Sequence, residues 1–210
     1  MSVKEFKKEE ADKLITRVQE KSVEILNNLD RESIDVCNFL TSEFNRGDVT
    51  KNYFFQFVFR SFYRLDNAGL SAEFKVKYFE LMQQNRSLES IDPVPILEAL
   101  NEILTLKKKN SFQFSFTTKM INLIDPSYPI YDSKVSKAII GSATSAIGDF
   151  DDKLKDYSTR HEVISKTYAY VIERDFFASI FAEFDKSFPG NRLTEFKKLD
   201  FIFWSYGKLL

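Results

Sequence analysis

Residues 115–137 run SFTTKMINLIDPSYPIYDSKVSK. Ser115 to Ile124 reads as a short helix and Asp125 to Tyr131 as a loop carrying two prolines. A second helix opens at Asp132 and stops at Gly141. A helix from 115 to 124 rises about 15 Å at 1.5 Å per residue. The seven residues of the loop span roughly 23 Å when extended. The chain can therefore fold back, so that Asp132 is expected within side-chain reach of Lys119. Its carboxylate would sit at a helix N-terminus, where the macrodipole favours the charged form.

Helical spacing continues on both sides of this pair. Between residues 5 and 29, Leu14, Val18, Ile25 and Leu29 form one apolar stripe. Asp30 or Ser33 can cap a following helix through Ile34, Cys37, Leu40 and Phe44, ending at Gly47. From Tyr53 to Leu65, Phe54, Phe55, Phe57, Phe59, Phe62 and Tyr63 are aromatic around much of a helix, which predicts a central buried element rather than a base-stacking row. Ser71 can cap a helix with Phe74, Tyr78, Leu81 and Met82 on one face. Asp92 with Pro93 and Pro95 opens another that continues to about Lys107. Ser142 to Gly148 is small and polar enough to be a loop between two lobes of one helical domain spanning 1–210. Phe150 to Phe188 supports one long or two consecutive helices. Pro189-Gly190-Asn191 turns the chain into a last helix with Phe196, Leu199, Phe203 and Trp204.

Composition agrees with an all-α class. The 210 residues hold only six Gly and five Pro, too few for the many tight turns of a sandwich or barrel. Cys37 is the one cysteine and His161 the one histidine, so intrachain disulfides, paired-cysteine redox motifs and cysteine-rich zinc sites are excluded. Cys37 reads as core and His161, among Ser158, Thr159, Arg160 and Glu162, as a surface residue. The N-terminus is charged and no run is long and apolar enough for a bilayer, so the expected location is the cytoplasm, with no membrane partner. A net charge of −1 offers no global attraction to nucleic acid. Residues 107–137, however, hold six lysines (107, 108, 109, 119, 134 and 137) against two aspartates (125 and 132), a local +4.

Ser115-Phe116-Thr117-Thr118-Lys119-Met120 and Pro129-Ile130-Tyr131-Asp132-Ser133-Lys134-Val135 resemble the helix-hairpin-helix DNA glycosylase superfamily. The likeness is to its oxoguanine-glycosylase-like branch and to bacterial helical proteins with a similar Thr-Lys helix and Pro-Ile-Tyr-Asp-Ser run, and it covers about residues 112–137. It implies a compact multi-helix bundle and N-glycosidic cleavage of a damaged or modified base. Lys119 would be the amine nucleophile at the anomeric carbon and Asp132 the stabiliser of the oxocarbenium charge, with no metal or other cofactor. A lysine nucleophile needs its free amine, and an adjacent carboxylate favours the ammonium instead. Residues 107–117 lack the glycines that the superfamily's hairpin usually carries.

The expected partner is double-stranded DNA with a damaged base; homo-oligomerisation is not indicated. Lys107, Lys108, Lys109, Lys134 and Lys137 would neutralise phosphates. Phe112, Phe114, Phe116, Tyr128 and Tyr131 would wall a pocket for an extruded base. On the residues alone, Asp132 is equally a plain helix cap, Lys119 a solvated helix lysine and the triple lysine a wet turn. The alternative to an enzyme is a helical DNA-binding or protein-interaction module that keeps the architecture without the chemistry.

Overall fold

The computed structural model describes residues 5–142 and 144–210. Among these residues there are eleven α-helices and no strand, as the sequence predicts. They are α1 (Lys8–Glu20), α2 (Ser22–Asn27), α3 (Arg31–Arg46), α4 (Tyr53–Phe62), α5 (Ala72–Gln84), α6 (Pro93–Asn101), α7 (Phe114–Ile124), α8 (Ser133–Ile140), α9 (Phe150–Glu173), α10 (Ala178–Ser187) and α11 (Glu195–Leu209). No described helix is long and apolar enough to cross a membrane.

The chain divides into two units, one of residues 1–34 with 127–210 and one of residues 35–126. Of the 142–148 stretch, whose composition suggests a lobe boundary, residue 143 lies outside the described residues and the others fall within the first unit. Polar, small residues mark a surface loop; they do not decide which helices share a core.

In the 35–126 unit the core is aromatic. Phe59 is ringed by Phe55, Tyr63, Tyr78 and Phe79, with centroid separations from 4.7 to 5.9 Å. Two caps fall where the sequence puts them, Ser71 accepting from Phe74 N and Asp92 from Val94 N, and Asn52, which the sequence reading did not single out, accepts from Phe55 N. Arg86 donates to the Phe44 and Gly47 carbonyls at the C-terminal end of α3, where a cation suits the dipole. Helix α4 departs from expectation. Phe55 and Phe59 are buried, but Tyr53, Phe54 and Phe57 are exposed. Aromatic richness around a helix predicts burial on every side; here neighbouring helices cover one face only. Helix α6 ends at Asn101 rather than near Lys107, leaving Leu104 and Leu106 exposed.

In the other unit, α11 is the central element, packing on α8, α2, α9 and α10. Its Leu199, Ile202 and Phe203 are fully buried. The single amphipathic helix expected over 5–29 is broken at Lys21, although Leu14, Val18, Ile25 and Leu29 are all buried. Asp30 accepts from Ser33 N at 2.7 Å and so caps α3. The long C-terminal pattern resolves into two helices, with the chain turning at Asp175 in a left-handed conformation, φ 52°.

Candidate functional site

Lys119 belongs to the 35–126 unit and Asp132 to the other. Each has its own surroundings.

Lys119 lies mid-way along α7, a helix whose Thr117, Thr118, Met120 and Ile121 are buried. The lysine is half-buried. Its Nζ donates to Ser115 Oγ, one turn earlier, at 3.1 Å. The same ammonium stands 5.0 Å from the Phe116 ring centre and 5.7 Å from that of Tyr63. Ring faces attract a cation, so both rings favour the ammonium's position here. The start of α7 is pinned from below: the Tyr78 hydroxyl donates to the Phe116 carbonyl at 2.7 Å. Burial pushes the Tyr78 phenol well above its ordinary value, which keeps it a hydrogen-bond donor at any working pH.

The triple lysine caps a structured turn. Thr105 donates to the Lys109 carbonyl through both its N–H, 3.0 Å, and its hydroxyl, 2.9 Å. Lys108 takes a left-handed conformation, φ 55°, and Leu106 N donates to Gly69 O at 2.9 Å. Lys107, Lys108 and Lys109 are all exposed. Of the expected pocket aromatics in this unit, Phe112 and Phe116 are half-buried. Phe114 is enclosed in the core and lies parallel to Phe112 at 6.3 Å.

Asp132 is the N-cap of α8, accepting from Lys134 N at 2.8 Å. The segment leading to it is clamped by buried polar groups from two helices. From α9, His161 Nε2 meets the Pro129 carbonyl at 2.7 Å, and the imidazole stacks on Tyr128 at 4.4 Å. A neutral imidazole with its proton on Nε2 makes this contact a donation, and burial lowers the His161 pKa and favours that form. His161 is therefore a core residue, 7% exposed, and not the surface residue its charged neighbours suggest. A helix shows one face to the core, and flanking charges on the other faces say little about it.

From α11, Asp200 accepts from Ile130 N and from the Tyr168 hydroxyl, each at 3.1 Å, and pairs with Lys197 at 3.4 Å. Burial raises the Asp200 pKa against the opposing pull of Lys197 and the two donors. Tyr131 is enclosed edge-on against Tyr157 at 5.1 Å; its hydroxyl donates to Ser136 Oγ at 3.3 Å and accepts from Arg160 at 3.4 Å. Lys134 is exposed and Lys137 half-buried.

The local +4 thus divides into four lysines with Asp125 in one unit and two lysines with Asp132 in the other. Sequence reasoning missed the buried clamp of Asp200, Lys197, Tyr168 and His161. One signal was present, because Lys197, Lys198 and Asp200 interrupt the otherwise apolar run Leu199, Phe201, Ile202, Phe203. Charges inside such a run must be paired when buried. Among the described residues, no three His, Cys, Asp or Glu side chains gather as metal ligands. Compared with known proteins, this chain matches no family model, no curated protein and no solved structure.

Proposed function

We propose that this chain is a cytoplasmic DNA-repair-type glycosylase that cleaves the N-glycosidic bond of a damaged or modified base, with Lys119 as nucleophile and Asp132 as electrostatic partner. The observation that carries this reading is the pair of settings. A half-buried amine lies on a helix pinned through its main chain. A carboxylate opens a helix at the end of a segment clamped by His161 and Asp200. Catalytic groups need that kind of fixed support.

In this chemistry the Lys119 nitrogen bonds to the anomeric carbon as the bond from that carbon to the base breaks. The bonding pair leaves with the base, which takes up a proton. The Asp132 carboxylate offsets the positive charge that develops on the sugar. Opening of the sugar ring then gives a Schiff base. The resting ammonium on Tyr63 and Phe116 must first lose its proton. Exposed Lys107, Lys108, Lys109 and Lys134 are suited to phosphate contacts.

Borohydride trapping tests this reading. The full chain is incubated with duplexes bearing oxidised, alkylated or abasic sites and then reduced. A covalent adduct that Lys119→Met abolishes, while the variant's unfolding midpoint is kept, supports the enzyme. No adduct and no base release across the panel overturns it. A second reading, a helical DNA-binding module without chemistry, is favoured by the two aromatic rings that the Lys119 ammonium stands against. Duplex binding without base release, weakened when Lys107, Lys108 and Lys109 are replaced, would mark that case.

A further inference from the structure

A cavity of about 310 Å³ opens in the unit of residues 1–34 and 127–210, between α1, the C-terminal end of α8 and α11. Its volume falls in the range of small-molecule sites. Three cations line it: Lys13 and Arg17 from α1 and Lys137 from α8. None of the three has an ion-pair partner among the described residues; Arg17 Nε donates to the Lys13 carbonyl at 3.2 Å and keeps its two terminal amino groups for other acceptors. Among the lining side chains, three cations stand against one acid, Glu10. The remaining wall is largely apolar, with Leu14 and Ile140 among its side chains.

Tyr206 adds the decisive feature. It lines the cavity and is 2% exposed, yet its hydroxyl has no hydrogen-bond partner among the described residues. Nor is that oxygen one of the fully enclosed unpaired atoms, which are Arg60 Nε, Thr117 Oγ1 and Asp156 Oδ2. A phenol so deeply held, with its polar end still accessible and unpaired, is a donor waiting for an acceptor. We infer that this cavity binds a small dianion, a phosphomonoester with a short apolar or aromatic body. The phosphate meets Lys13, Arg17 and Lys137, Tyr206 donates to one of its oxygens, and the body lies on the apolar wall. An anion suits a lining whose side chains are predominantly cationic, and guanidinium and ammonium groups are the usual phosphate donors. The site stands independently of the glycosylase reading, since none of its residues is placed in that chemistry except Lys137, a phosphate contact there.

Phenyl phosphate, inorganic phosphate, benzyl alcohol and octanoate are titrated into the full chain by calorimetry, with amide chemical shifts followed in parallel. Phenyl phosphate is expected to bind saturably, with shifts at the amides of Ala138 to Gly141. Inorganic phosphate should bind about tenfold more weakly, and benzyl alcohol not at all. Joint Lys13→Met and Arg17→Met replacement should weaken phenyl phosphate about tenfold, and Tyr206→Phe about threefold. The inference is overturned by absence of saturable binding up to about 10 mM, or by shifts confined to other segments. Affinity unchanged in these variants, or octanoate binding more tightly than phenyl phosphate, overturns it as well.

Discussion

Gly207 on α11 meets the main chain of Lys134 on α8 so closely that a Cβ at position 207 would lie 2.1 Å from the Lys134 carbonyl oxygen. Backbone cannot swing aside as a side-chain tip can, so this glycine sets the distance between the two helices. Together with the Asp200 bond to Ile130 N, it fixes the start of α8, and with it Asp132, to α11 at two points. Gly207→Ala is expected to cost about 2–3 kcal/mol, the scale of overpacking. Gly47→Ala, where nothing lies within 4 Å, should stay within about 0.5 kcal/mol. Urea unfolding of both variants checks the contrast.

His161 gives stability a pH dependence of known sign. Burial lowers its pKa in the folded chain from the ordinary 6.5, against the pull of the Pro129 carbonyl. Between that lowered value and 6.5 the unfolded chain therefore binds more protons than the folded one. The stabilisation is fully present above pH 6.5 and is lost as pH falls from 6.5 through the lowered value. Stability measured from pH 7.5 to 5 should fall more steeply for the native chain than for His161→Gln, which retains an N–H donor for Pro129 but has no proton to gain. Equal slopes would contradict the buried neutral imidazole.

Tyr78→Phe should destabilise the chain by about 1 kcal/mol, through loss of its buried hydrogen bond to the Phe116 carbonyl. Because that bond pins the first turn of α7, hydrogen exchange at the amides of residues 116–120 should quicken more than exchange in α6.

Helix α4 predicts two opposite outcomes from one residue type. Phe59, fully buried amid four aromatic rings, should cost about 3–5 kcal/mol on replacement by alanine. Phe57 is 57% exposed, and its replacement should change stability by no more than about 0.5 kcal/mol. Thermal melts of the two variants separate them directly.

Much of the helical framework was legible because its signals are local. Asp30, Ser71, Asp92 and Asp132 announced caps, and Gly47 and Gly141 announced stops, by short-range backbone chemistry that involves few residues. The candidate site was legible only as two fragments. Lys119 and Asp132 stood out by residue type and motif, whereas the groups that clamp the Asp132 approach come from α9 and α11, some 30 to 70 positions further along. Which of several charged residues on those helices turns inward depends on the neighbours each face meets.

Local periodicity and capping thus determined, from the amino-acid order alone, that this chain is helical, where most of its helices begin, and that Cys37 belongs to a core. Only the tertiary structure decided that α4 is covered on one face, that His161 and Asp200 are buried, and that Lys13, Arg17, Lys137 and Tyr206 line one cavity. The reason is physical. A helix forms from interactions three and four residues apart, which are written in adjacent letters. Burial depends on which distant surfaces meet, and many packings satisfy the same local code.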